Sequence, residues 1–238
     1  MLIIITGVPG TGKTTISKQL EKRLKKKFNI HIIHLHEFAK QKKLFIKSKN
    51  ENLVDLKKLK KELMNKIKML HAQYDGTSKY PKCSKHDKTA NQKSKTLKTS
   101  KTLILVEGHV ACEISLPANF VFVLRCNPSE LKKRLQKRKY SEEKIKENLL
   151  AEMLDYCVLV GEKNYDKKII FEVETTDATV NDFGLRSKVV ANSALSKIIA
   201  EIIKIISGKY RGKNIHIDYN NELRYFLALN LALKIQNI

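Results

Sequence analysis

No apolar run in this chain approaches the roughly 20 residues needed to cross a bilayer as a helix, so an integral helical membrane protein is excluded. The opening Met1-Leu2-Ile3-Ile4-Ile5 lacks the basic stretch of a secretory leader and runs straight into a glycine-rich turn. It therefore reads as a buried strand rather than a signal peptide. Cysteine is sparse: Cys83, Cys112, Cys126 and Cys157 are widely scattered, which argues against a disulfide framework and for a reducing, cytoplasmic setting. Acidic residues are also scarce, 24 against 47 basic ones, giving a net charge of +23. Such an excess favours polyanionic partners, RNA first among them, through phosphate neutralisation. A lysine-rich, solvated surface explains the same number, and charge alone does not choose between them. With 42% hydrophobic and 30% charged residues over 238 positions, the composition is that of an ordinary globular chain able to bury a sizeable core.

What is present begins at residue 7. Gly7-Val8-Pro9-Gly10-Thr11-Gly12-Lys13-Thr14 satisfies G-x-x-x-x-G-K-[ST] and follows an apolar run, the strand-to-helix setting this phosphate loop requires. Its glycines let backbone N–H groups turn inward around a triphosphate. Lys13 then reaches the β- and γ-phosphates, and the Thr14 hydroxyl is placed to bind Mg²⁺. The motif implies a nucleoside triphosphate site, with Gly10, Gly12, Lys13, Thr14 and Thr15 as its contacts.

Five short apolar runs, 2–6, 30–35, 103–106, 120–124 and 169–173, predict buried parallel strands. Helical periodicity lies between them: Ile16, Leu20 and Leu24; Leu56, Leu59, Leu63, Ile67 and Leu70; Leu131 and Leu135 after Asn127-Pro128; and Ile145, Leu149 and Met153. The alternation predicts one doubly wound α/β domain over residues 1–207, with a five-stranded parallel sheet flanked by helices. Residues 75–101 interrupt it with eight lysines, two aspartates and hardly an apolar side chain, the composition of a flexible basic insertion. Cys83 and His86 there are spaced like half of a metal site, but no second half follows nearby. Residues 208–238 read as an extension ending in a helix from about Asn221. Its Tyr210, Tyr219 and Tyr225 are taken as packing residues.

A second constellation follows in Leu103-Ile104-Leu105-Val106-Glu107-Gly108-His109. A carboxylate ending an apolar strand is where a phosphate-loop enzyme holds Mg²⁺ beside the loop hydroxyl, so Thr14 and Glu107 form the expected metal pair. Gly108 permits close approach of phosphates, and His109 projects into the cleft. The other histidines, including His34 and His36, are assigned ordinary packing or surface roles. A third element is Val121-Phe122-Val123-Leu124-Arg125, followed by Arg134, Arg138, Lys139 and Tyr140. Arg138, between two helices, is placed to neutralise charge on a transferring phosphoryl group. Arg125, at a strand end, is placed to lie against a nucleotide base.

Taken together, the phosphate loop through Thr15, Val106-Glu107-Gly108-His109, Val121 to Arg125, and Arg138-Lys139-Tyr140-Ser141-Glu142-Glu143-Lys144 resemble one family. Asn148, Glu152 and the Glu172-Val173-Glu174-Thr175-Thr176 run extend the match. The resemblance is to the atypical nuclear-type adenylate kinases, the adenylate kinase isoenzyme six family, also described as coilin-interacting nuclear ATPase. It implies a P-loop NTPase of nucleoside monophosphate kinase type, with an acceptor region at about 30–53 and a short lid at about 137–147. It implies phosphoryl transfer from ATP to AMP or related monophosphates, with Mg²⁺, together with ATPase activity. His109 would position the acceptor or an attacking water, and Arg138 would close over the transferring group. It further implies a role in small ribosomal subunit maturation, with a small-subunit ribosomal protein as partner and precursor rRNA processing. Three departures stand out: Glu107 where the family usually has Asp, Lys139 where it usually has Gly, and His34-Leu35-His36-Glu37-Phe38-Ala39-Lys40, which only loosely resembles its Gly-Asp-Leu-Ala pattern.

Overall fold

The apolar runs form strands because alternate side chains enter two different cores. The computed structural model describes residues 1–47, 52–74, 101–176 and 194–208. The basic insertion (apart from Lys101), Cys83 and His86, and the extension beyond residue 208 with its three tyrosines lie outside the described residues. The main strands are β1 (Leu2–Thr6) and β2 (Phe28–His34), then β5 (Lys101–Glu107), β6 (Phe120–Arg125) and β7 (Ile170–Glu174). A hairpin of β3 (Phe45–Lys47) and β4 (Asn52–Val54) stands apart from them. Among the described residues the main sheet has five strands in the order β2-β5-β1-β6-β7, with every pairing parallel.

Leu2, Ile4, Ile104, Val106, Val121 and Val123 line one face, while Ile3, Ile5, Leu103, Leu105, Phe122 and Leu124 line the other. A strand buried on both sides gains from an apolar residue at every position, which is why these runs do not alternate with polar residues. The first face is covered by α3 (Leu56–Tyr74) through Leu59, Leu63, Ile67 and Leu70, and by α4 (Pro128–Lys137) through Leu131 and Leu135. α5 (Glu142–Met153) adds Ile145 and α6 (Tyr156–Asn164) adds Cys157 and Val158. The second face is covered by α1 (Lys13–Leu24) through Ile16, Leu20 and Leu24, and by α7 (Ala194–Ile206) through Ile199, Ile202 and Ile205. Arg23 Nη2 donates to Ser196 Oγ at 2.8 Å and joins these two helices.

All five sequence-derived strands and all four helical patterns are present. The structure moves their ends: β2 runs 28–34 rather than 30–35, because Leu35 turns into α2 (Leu35–Gln41), and β5 extends from Lys101 to Glu107. It also adds α2, α6 and the β3–β4 hairpin, too short for periodicity to mark, and α7, whose Ile198, Ile199, Ile202 and Ile205 recur at helical spacing and were legible in the sequence. Connections from β1 and β5 lead to opposite sides of the sheet, so a crevice opens at the carboxyl ends of the central strands, where α/β sheets bind ligands.

The connection from α4 to α5 is three residues and a cap long. Asn127 Oδ1 accepts from Ser129 N to open α4, and Ser141 Oγ accepts from Lys144 N to open α5. Between them Lys139 sits at φ 58, the left-handed region, with its N–H on Gln136 O. That conformation costs a side-chain-bearing residue about 1–2 kcal/mol, a cost glycine would not bear. Lys139→Gly is expected to stabilise the fold by about 0.5 kcal/mol, the relief of that strain less the entropy of a freer unfolded chain, read as a higher urea midpoint.

Candidate active site

The phosphate loop leaves β1 and enters α1 through two glycines in the left-handed region, Gly10 at φ 97 and Gly12 at φ 92. At Gly10 a Cβ would also sit 2.7 Å from Leu131 Cδ1, so the loop is pressed against α4. α1 begins at Gly12 with no side-chain cap and no acidic residue in its first turn. Its first amides and the positive end of its dipole are therefore directed to an anion from the cleft. The loop is closed by Thr11 Oγ1 donating to Val8 O at 2.9 Å, and by Thr175 Oγ1, whose single proton is shared between Thr11 O at 2.9 Å and Arg125 O at 2.7 Å. Lys13 curls across it, its Nζ donating to Gly7 O and Val8 O, each at 2.9 Å.

The strand-end carboxylate lies beside the loop as its position in the sequence predicts. Thr14 Oγ1 donates to Glu107 Oε1 at 2.9 Å, and Ser17 Oγ donates to Glu107 Oε2 at 3.2 Å. His34 Nδ1 is 2.7 Å from Glu107 Oε1. The helix spacing explains the first two: residues three apart share a face, so Thr14 and Ser17 meet the same carboxylate. The parallel register explains the third, since His34 and Glu107 are partnered final residues of β2 and β5. His34 and Ser17 thus stand behind the carboxylate without lining the cleft, correcting the packing role that sequence reading gave to His34. The signal was their shared place at strand end and helix face, legible only once the pairing of β2 with β5 is known.

A cleft of about 390 Å³ is lined by Pro9, Gly10, Gly12, Lys13, Thr14, Thr15, His36, His109, Arg138 and Tyr140. It brings together the loop, His109 and Arg138, and adds Tyr140, expected only as part of the lid run, and His36, expected in a packing or surface role. His109 opens a short 3₁₀ turn, His109–Glu113, whose carbonyl at His109 accepts from Thr6 Oγ1 and Cys112 Sγ, each at 3.2 Å. Burial of its ring, then the nearby Lys13 ammonium and the His36 imidazole, press its pKa down to about 4. At neutral pH His109 is therefore an uncharged imidazole that can donate at one nitrogen and accept at the other. Desolvation lowers Lys13 as well, to about 8, against the pull of Cys157 and Glu107, while Arg138 adds to the lowering. The cleft is short of negative charge until a phosphate fills it. Gly108 has a different role from the one expected: a Cβ there would lie 2.8 Å from Leu35 Cβ, so its smallness serves packing against α2.

Arg125 is the clear departure. It is 1% exposed and does not line the cleft. Its Nε meets Glu152 Oε1 at 2.8 Å, its Nη2 meets Asp155 Oδ1 at 2.5 Å, and its Nη1 meets Glu172 Oε2 at 2.5 Å. A guanidinium held by three carboxylates beneath the site cannot lie against a base. It joins β6 and β7 to the α5–α6 junction, and Glu152 Oε1 also accepts from Cys126 N at 3.1 Å. The residue expected to bind nucleotide is a strut.

With this geometry in view, comparisons with known proteins are informative. A family model described as an AAA domain matches residues 3–155. A protein of Methanocaldococcus jannaschii is 32% identical over 238 residues, covering 98% of this chain and 100% of its own. One from Methanosarcina acetivorans is 34% identical over 199 residues (82% and 89% of the two chains), and one from Methanosarcina mazei is 35% identical over 185 residues (76% and 82%). All three bear the name "Putative adenylate kinase". The chain belongs to this adenylate kinase-like family. Its phosphate loop, strand-end Glu107 and His109 all fall within the matched residues 3–155.

Two outcomes are expected of this adenylate kinase-like site. A bound triphosphate favours charged Lys13 and raises its pKa above 8, so binding above that pH must be accompanied by proton uptake. Affinity for a triphosphate analogue should be level below about pH 7.5 and weaken toward about tenfold per pH unit above pH 8, with uptake read by calorimetry in two buffers. Arg125→Met should lower stability by about 3 kcal/mol or more in urea unfolding, because it strands buried carboxylates.

Proposed function

We propose that the protein is an ATP-dependent nucleoside monophosphate kinase of adenylate kinase type, transferring the γ-phosphoryl group of ATP to AMP by preference. The observation that carries this reading is the convergence of Lys13, the Thr14–Glu107 pair, His109 and Arg138 around one cleft at the carboxyl end of the sheet. The acid-Gly-His strand end and the short Arg138 connection support the narrower likeness to adenylate kinase isoenzyme six.

In this reading Lys13 exchanges its two carbonyl partners for phosphate oxygens, and the first amides of α1 hold the same group. Arg138 on the α4–α5 connection, within a lid at about 137–147, swings over the transferring group and excludes water. The acceptor region at about 30–53 takes in the end of β2, α2 and β3 with the start of β4, and has His36 on the cleft wall. Neutral His109 orients the acceptor by a hydrogen bond. The oxygens of Thr14 and of Glu107, which is 7% exposed, are hard donors of the kind Mg²⁺ takes from one or two residues while keeping phosphate and water as its other ligands. Those two residues would hold it, and with ATP it supplies neutralisation of phosphate charge.

A second reading is favoured by the net charge of +23, far beyond what one nucleotide needs. The same site would then hydrolyse ATP, with water as acceptor, in a factor that engages RNA or a small-subunit ribosomal protein during rRNA maturation. ATP consumption measured with and without AMP, CMP, GMP and UMP separates the two. Stoichiometric diphosphate formation with one monophosphate supports the kinase. Phosphate release that ignores every monophosphate supports the ATPase and removes the kinase. Lys13→Ala is expected to lower turnover by about 10²–10³-fold or more in either case, and an unchanged rate would refute its assignment.

A further inference from the structure

Glu107 carries one more methylene than an aspartate would, and hence one more rotatable bond by which its carboxylate can stray. In this chain a side chain of the neighbouring strand takes up that freedom. β2 and β5 pair in parallel with His34 opposite Glu107, so the two side chains leave the sheet edge on the same face. His34 Nδ1 lies 2.7 Å from Oε1, the oxygen that also accepts from Thr14 Oγ1 at 2.9 Å, while Ser17 Oγ holds Oε2. The carboxylate is 8% exposed and the imidazole 27%, so little water competes for the contact.

We propose that His34 is a positioning residue that fixes the Glu107 carboxylate toward Thr14, setting the site's response to Mg²⁺. This rests on the kinase-type nucleotide site described above and adds a residue to it. When the Thr14 oxygen turns a lone pair toward a ligand its proton can stay on Oε1, and the His34 N–H holds that same oxygen from the neighbouring strand. The lever is geometric: partners behind metal-facing carboxylates change metal response by about 10–100-fold without touching the metal. An asparagine amide nitrogen stands close to where Nδ1 of a histidine stands, so His34→Asn keeps the donor, whereas His34→Leu keeps the bulk and loses it.

The test is calorimetric titration of the full chain with a non-hydrolysable ATP analogue, with and without Mg²⁺. The wild type is expected to bind more tightly when Mg²⁺ is present. His34→Leu should lose about tenfold of that enhancement while metal-free affinity stays within about twofold, and His34→Asn should retain most of it. In a Glu107→Asp background the shorter side chain withdraws from His34, so adding His34→Leu should cost little more. Equal enhancement in wild type and His34→Leu overturns the assignment, as does a His34→Asn variant as impaired as His34→Leu. A wild type whose analogue binding is indifferent to Mg²⁺ overturns the kinase-type site itself and the assignment with it, so the two failures are told apart. Should His34→Leu fail to fold, as judged by thermal unfolding, the comparison of His34→Asn with wild type, alone and in the Glu107→Asp background, still decides.

Discussion

A single buried carboxylate ties the functional end of this molecule together. Glu107 receives hydrogen bonds from Thr14 and Ser17 of the first helix and meets His34 of the edge strand, so it links the phosphate loop to the part of the sheet leading into α2. A carboxylate so little exposed would be costly without such partners, since buried polar groups must find hydrogen bonds. The arrangement therefore serves folding and function at once: the groups that satisfy the carboxylate also hold it beside the loop hydroxyl. Neighbouring strands supply rigidity, because both Glu107 and His34 stand at the ends of paired strands and not on loops.

Around that centre the cleft is electrostatically unbalanced. Lys13 and Arg138 bring positive charge, and burial, aided by Lys13, keeps His109 uncharged. A polyphosphate relieves this imbalance, giving Lys13 a better partner than the loop carbonyls it holds in the absence of ligand. Beneath the cleft the opposite device operates: one guanidinium, Arg125, gathers three carboxylates from α5, the α5–α6 junction and β7. The upper set of charges is arranged to meet a ligand, and the lower set is complete in itself. That difference separates site from scaffold more clearly than residue type does.

Much of this was legible beforehand, and the reasons are specific. The strands at 2–6, 103–106 and 120–124 were visible because a sheet covered on both sides needs an apolar residue at each position. Lys13 and Thr14 were visible because a phosphate loop requires those groups in a fixed local order, and Glu107 because it ends an apolar strand. Arg125 misled because an arginine after an apolar strand looks the same in sequence whether it faces a ligand or three carboxylates. The carboxylates come from residues 27, 30 and 47 positions away, a separation at which no local pattern carries information. His34 and His36 were passed over for the same reason.

The sequence by itself determined the local parts: a phosphate loop closed by glycines at positive φ, a doubly wound α/β layering, and an acid placed at the end of an apolar strand. Those follow from short-range sterics and periodic burial, which neighbouring residues decide among themselves. Only the tertiary structure decided which distant groups meet: β2 beside β5 and therefore His34 beside Glu107, Arg125 inward rather than over the nucleotide, and α7 against α1 as the second cover of the sheet. Strand order and register are settled by the packing of the whole chain, so the partners of a charged side chain are a property of the fold and not of its neighbours in sequence.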